Sequence, residues 1–190
     1  MRSKLIFLTL AVSCAFAGQA MALSKDEYKV QKDRVEADYK ASRDQCSSQS
    51  GNAKDICKAQ AKGAENVAKA ELEAQYQPSP RHDQKVREAK ADASYGVAKE
   101  RCDDMAGNTK DVCVKQAKAA RTAALADAKV GKVSADANQD KTAAMARVKK
   151  DAASAKSEAD YKVAKERCDA LAGNAKDSCQ SEAKAAFGMK

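Results

Sequence analysis

The sequence predicts an all-α protein of three disulfide-clamped helical hairpins, about six helices, arranged as a loose bundle or an elongated array. Three observations carry that expectation. A nineteen-residue phrase occurs three times, as YKASRDQCSSQSGNAKDIC (39–57), YGVAKERCDDMAGNTKDVC (95–113) and YKVAKERCDALAGNAKDSC (161–179). Each copy places Gly-Asn between two cysteines eleven positions apart. Alanine makes 37 of residues 23–190, whereas Leu, Ile, Val and Phe together make 17. Such a chain forms helix readily but has little with which to build a deep core.

Ahead of the repeats, Arg2 and Lys4 precede the apolar run LIFLTLAV and small residues at Ala20 and Ala22. This three-part pattern reads as a secretory signal peptide, residues 1–22, cleaved after Ala22. The run is shorter than the roughly 20 residues of a bilayer span. Cys14, in AVSC, offers another processing point at which the mature chain would start on a lipidated cysteine. Either route leaves six cysteines, and an even number behind an export signal reads as a disulfide framework made in an oxidising compartment. A periplasmic or secreted location is therefore expected. Residues 23–190 hold 33 basic and 27 acidic residues, a net charge of +6.

The first hairpin, 23–77, turns at Gly51 and Asn52 between Cys46 and Cys57. Gly51 is expected in the left-handed conformation that ends a helix, and Asn52 is expected to cap the next one, with Asp55 near the exposed N–H groups. Reversal there leaves the cysteines five residues before and six after the glycine, level with each other on antiparallel helices. Axes about 8 Å apart then bring the Cα atoms into disulfide range. The alternative is one unbroken helix, which would put the cysteines on one face about 16 Å apart, able to bond only to another helix or chain. A mid-helix Gly and Asn cost about 1 kcal/mol or more, and the pattern occurs three times, so reversal is favoured.

The second hairpin, 78–131, follows QYQPSPR, where Ser79 can cap and Pro80 suits the first helical position. Cys102 and Cys113 flank Gly107 and Asn108, with Asp111 in the role of Asp55. Tyr95 precedes Cys102 by two helical turns, and Cys113, Ala117, Ala120 and Ala124 share a helix face. Each flank therefore reads as an amphipathic helix with one contact face of Ala, Tyr and Cys. The third hairpin, 132–190, repeats the design with Tyr161, Cys168, Gly173, Asn174, Asp177 and Cys179. The junction before it, VGKVSADANQD (130–140), reads either as a loop or as a kinked continuous helix, with Gly131, Ser134 and Asn138 its interrupters. First cysteines stand 56 and then 66 residues apart, so a solenoid of one fixed repeat length is not expected.

The phrases AKERCDALAGNAKDSC and AKERCDDMAGNTKDVC resemble those of exported, Ala/Lys-rich proteobacterial helical proteins of unknown function with C-x10-C repeats, often labelled TolA-like cell-envelope biogenesis proteins. The resemblance covers the three hairpin cores, about a third of the chain. It implies an envelope location and carries over no catalytic residue.

Residue chemistry points away from catalysis. The single histidine, His82, falls in a polar linker and reads as a solvated surface residue. The cysteines lack the close CxxC spacing of zinc and redox sites, and no phosphate loop, GxSxG elbow or HExxH helix is present. No catalytic, cofactor-binding or metal residue is assigned, and the chain is not expected to be an enzyme. Carboxylates alternate with basic residues at i, i+4, as in Glu36/Lys40, Glu65/Lys69, Asp83/Arg87 and Glu158/Lys162, a solvated-helix pattern. Mixed charge without aromatic platforms argues against nucleic acid. The expected function is a non-enzymatic structural or interaction protein of the cell envelope, packing helices on itself or on an envelope protein. The alternative is a stress-related, chaperone-like or surface-binding module for anionic lipid, polysaccharide or client proteins, with weak anionic-surface binding. No transmembrane segment is expected after signal cleavage. An apolar face of Ala with Tyr28, Tyr39, Tyr76, Tyr95 and Tyr161 suits helix-on-helix packing, whereas membrane insertion calls for Leu, Phe or Trp.

Overall fold

The computed structural model describes residues 22–136 and 141–189. The expected signal peptide up to Met21, the alternative processing residue Cys14, and 137–140 of the second junction lie outside the described residues. Six helices follow one another: α1 Lys25–Gln45, α2 Gly51–Tyr76, α3 Pro80–Cys102, α4 Gly107–Ala135, α5 Lys141–Cys168 and α6 Gly173–Phe187. A 3-10 turn, Cys46–Ser48, closes α1, and no strand occurs among the described residues.

Local chemistry sets several helix starts. Ser24 and Glu27 form a reciprocal capping box at α1, and Ser79 accepts from the His82 N–H with Pro80 at the first position of α3. At the starts of α2, α4 and α6 the backbone turns through glycine, with φ of 55° at Gly51 and 56° at Gly107 and Gly173. Side chains with a Cβ rarely adopt this left-handed region. Asn52, Asn108 and Asn174 do not cap as expected, since none of α2, α4 and α6 has a side-chain cap. Their amides are free for another role.

Disulfides join Cys46–Cys57, Cys102–Cys113 and Cys168–Cys179, with Cα atoms 5.6, 5.7 and 5.7 Å apart. All three fall well inside the disulfide window of about 4.4–6.8 Å. Asp103 and Asp169 bridge across their turns to Lys110 and Lys176 at 2.9 and 2.8 Å. Each lysine thereby holds the carboxyl facing it below the usual carboxylate range. In the first copy Ser47 replaces this aspartate, and its hydroxyl donates to the Asp44 carbonyl instead.

Every helix packs only against its neighbours in sequence, α1 on α2, α2 on α3 and so on to α6, so the hairpins stand side by side in one layer. Of the two arrangements expected, the array is adopted. A single contact face per helix is too simple, because α2 and α4 bury two opposite faces. Ala117 and Ala119, like Ala126 and Ala128, are buried although two positions apart, which places them about 200° apart around the axis. One side meets α3 and the other α5. Of the face expected from spacing, Ala117 is buried, Ala124 half-buried and Ala120 exposed. The end helix α1 buries no residue.

At the second junction the continuous-helix reading fails, and helix extends further into the junction than its interrupters suggested. Helix α4 runs through Gly131 and Ser134 to Ala135, and α5 begins at Lys141, packed along α4. Gly131 makes room where an interrupter was expected, because a Cβ there would lie 1.8 Å from an Arg87 guanidinium nitrogen. The ten residues that spoil strict periodicity lengthen the α4–α5 arm. Helices α4 and α5 have 29 and 28 residues against 26 and 23 in α2 and α3. Lengthening at the end remote from the disulfides leaves the hairpins in register.

Candidate interaction interface

The contacts that repeat lie between hairpins. Asn52 Nδ2 donates to the Glu100 carbonyl at 2.7 Å, and Asn108 Nδ2 donates to the Glu166 carbonyl at 2.9 Å. These acceptors belong to the last turns of α3 and α5, where each carbonyl already takes one backbone N–H, that of Asp103 or Asp169 at 3.1 Å, and has a second lone pair for the amide. Each asparagine thus staples the start of one hairpin's second helix to the end of the next hairpin's first.

Ion pairs repeat in the same register. Lys90 meets Glu71 at 2.7 Å and Lys156 meets Asp127 at 2.6 Å. Both lysines stand twelve residues before the first cysteine of their copy, and both acids fourteen after the second. Lys115 adds a contact to the Glu166 carboxylate at 3.4 Å. Close approach of α2 and α3 depends on Gly63, where a Cβ would come within 2.8 Å of the Ala93 Cβ. The docking stripe on α3 therefore reads Val86, Lys90, Ala93, Val97 and Glu100. Its counterpart on α5 is Ala152, Lys156, Ala159, Val163 and Glu166.

Within hairpins, four of the tyrosines make ring contacts between the paired helices. Tyr28 stacks on Tyr76 with ring centroids 4.5 Å apart, and its hydroxyl donates to Glu73, which raises the phenol above its ordinary range. Lys62 lies over Tyr39 and Arg121 over Tyr95, at 5.2 and 5.5 Å from the ring centres. Arg121 also pairs with Asp92 at 2.5 Å. The buried carboxylate of Glu65, 7% exposed, accepts from Lys62 at 2.8 Å and Lys69 at 2.6 Å. Those two bonds hold it below the usual carboxylate range.

Of the four expected i, i+4 pairs, Glu65–Lys69 and Glu158–Lys162 form, both at 2.6 Å. Asp83–Arg87 does not, since Arg87 extends over Gly131, and Glu36–Lys40 is likewise absent from the ion pairs of the described residues. His82 is half-buried, against the expectation of a solvated residue, because its Nδ1 contacts the Gln77 carbonyl at 2.5 Å and closes the α2–α3 connection.

Chemically the interface binds and aligns. In the open groove over α4, Lys115, Arg121 and Lys162 are each held by a carboxylate, those of Glu166, Asp92 and Glu158. All six cysteines of the repeats are oxidised. Among the described residues no group of three or more His, Cys, Asp or Glu side chains is placed to hold a metal ion. No helix among them is long and apolar enough to cross a membrane.

A second surface lies at the far end of the α4–α5 arm. Lys129, Lys132, Lys141, Arg147, Lys149 and Lys150 fall within 129–150, where Asp136 and Asp140 are the sole acids, giving net +4 of the +6 carried by residues 23–190. None of the six takes part in an ion pair of the described residues, and all but Lys132 are exposed.

Sequence reasoning missed the asparagine staple, although a signal for it existed. Asp, Ser or Thr would cap as well as Asn, yet all three copies use Asn, whose side chain carries an N–H donor. No protein-family model, curated protein or solved structure matches the chain.

Proposed function

We propose that this is a non-enzymatic structural or interaction protein of the cell envelope, periplasmic or secreted, that works by packing helices on itself or on a partner. One observation carries the reading: hairpin joins hairpin twice through the same staple and ion pair in the same register. The chain's side chains are thus spent on making reusable docking faces. The three disulfides and the resemblance of the repeat phrases to exported envelope proteins support the location. Fractionation with thiol trapping tests it. The cell-envelope or medium fraction should hold a chain whose repeat cysteines resist alkylation, and a reduced cytoplasmic chain would refute the reading.

A surface-binding role is the second reading, favoured by the basic tip of the α4–α5 arm. Its six cations, without ion-pair partners among the described residues, suit an anionic lipid surface through counterion release and long-range attraction. Co-sedimentation with phosphatidylglycerol vesicles at low salt, weakened by added salt and by Lys149→Glu with Lys150→Glu, is the expected result. Equal sedimentation with neutral vesicles would exclude the tip as its cause.

A further inference from the structure

The docking stripe has a third copy. At the positions of Val86, Lys90, Ala93, Val97 and Glu100, helix α1 carries Val30, Arg34, Ala37, Ala41 and Asp44. All five are exposed, Val30 at 68%. No helix among the described residues lies on this side of α1, whose only helical neighbour is α2. The chain also enters α1 from the α2 side, where the Leu23 N–H donates to the Gln75 carbonyl.

The complementary face likewise has a third copy, on α6. Asn174 stands where Asn52 and Asn108 form their staples, but it is exposed and its amide has no partner among the described residues. Ser181 and Ala185 follow at the positions of Lys115 and Ala119 in α4, again exposed. One end of the array therefore shows an unused acceptor face and the other an unused donor face.

We propose that α1 of one molecule docks on α6 of a second copy, joining arrays head to tail through the interface already used twice within the chain. The proposal deepens the packing role above by naming the partner. In the shared register, Asn174 donates to the Asp44 carbonyl of the second copy. That carbonyl already takes the Ser47 hydroxyl and shares the Cys46 N–H with the Arg43 carbonyl, so Asn174 replaces the shared contact at its second lone pair. Ser181 falls opposite the Asp44 carboxylate, as Lys115 falls opposite Glu166, and Ala185 opposite Ala37.

The contact is weaker than the internal ones for two reasons. Ser178 replaces the Ile56 and Val112 of the other copies. Helix α6 has 15 residues and ends at Phe187, capped by Gly188, so Arg34 and Val30 lie past its reach. A donor face meeting a different acceptor face is heterologous, and such contacts extend into chains unless the rotation closes a ring.

Sedimentation of oxidised chain beginning at residue 23 tests this from micromolar to millimolar concentration. The expected average mass climbs past that of a dimer. Ala37→Arg with Ala41→Arg blocks the α1 face, and Ser178→Arg with Ala185→Arg blocks the α6 face; all four positions are exposed, and circular dichroism verifies folding. Each blocked chain alone should remain monomeric, and an equal mixture should stop at a one-to-one dimer. A wild-type chain that stays monomeric, a blocked chain that still self-associates, or a mixture that fails to pair would each overturn the proposal. A monomeric result leaves the envelope role intact, because export and disulfide formation decide that separately.

Discussion

The two ends of the array obey different rules. At the disulfide end three turns repeat one geometry, with glycine φ of 55–56° and Cα atoms of the bridged cysteines 5.6–5.7 Å apart. At the far end the two connections differ in length and chemistry. One closes tightly around Ser79, Pro80 and His82, and the other falls between Ala135 and Lys141, the ends of two longer helices rich in lysine. The asparagine staples lie at the repeating end, so register is set there, and residues added at the far end extend an arm without sliding one hairpin past another. Covalent clamping and interface alignment coincide, and variation accumulates away from both.

The hardest way to break this contrast is reduction. Each bridge closes a loop of eleven residues, worth about 2–3 kcal/mol on an entropy model, and an alanine-rich core cannot replace three of them. Helical circular dichroism is expected to collapse on reduction and thermal unfolding to move far down. A small change in either would mean that packing alone holds the hairpins.

Next in size is the close approach of the first two hairpins. Gly63→Val should destabilise by about 1–3 kcal/mol through overpacking against Ala93. Gly96→Ala, where an added Cβ meets nothing within 4 Å, should stabilise by about 0.5–1 kcal/mol. Chemical denaturation of both variants checks the pair, and equal effects would disconnect Gly63 from the interface.

Gly107→Ala probes the turn geometry itself. The substitution meets open space but keeps a φ of 56°, so a loss of about 1 kcal/mol is expected from backbone strain alone.

Asn108→Asp separates stapling from capping. Aspartate caps as well as asparagine but offers no N–H to Glu166, so a loss of about 1 kcal/mol is expected. Asn174→Asp should leave the stability of the monomer unchanged. Were the two to lose stability equally, the amide's cross-hairpin bond would have no energetic weight.

The smallest effect is one of acidity. The Glu65 carboxyl is held below its ordinary range by hydrogen bonds from Lys62 and Lys69. Its contribution is complete above the unfolded value and disappears as pH falls through the folded one. Glu65→Gln should flatten the acid limb of stability against pH by about 1 kcal/mol or less, a range set by the half-exposed lysines. An unchanged limb would assign acid sensitivity to other carboxylates.

Some of this molecule was readable from local chemistry. Chain reversal at Gly51, Gly107 and Gly173 follows from a backbone conformation open chiefly to glycine, and pairing within each repeat follows because eleven residues around a reversal bring the two cysteines level. Ser79 and Pro80 announced the start of α3 for equally local reasons. The interface was harder to read. Asn108 looked like a cap because capping is its commonest local use, and its true acceptor lies 58 residues away. Gly131 looked like an interrupter because nothing nearby in the chain reveals that Arg87 will lie across it. His82 looked solvated because the carbonyl it contacts becomes available only once α2 and α3 have folded together.

The sequence by itself determined the hairpins, the disulfide partners and the helical character of the chain, since each depends on residues within a dozen positions and on steric rules of single residues. Tertiary structure alone decided that hairpins stand side by side in one layer, that α2 and α4 bury opposite faces, and that asparagine joins repeats. Alanine can pack on any side of a helix, so its pattern leaves the choice of neighbour open until the neighbouring helix is in place.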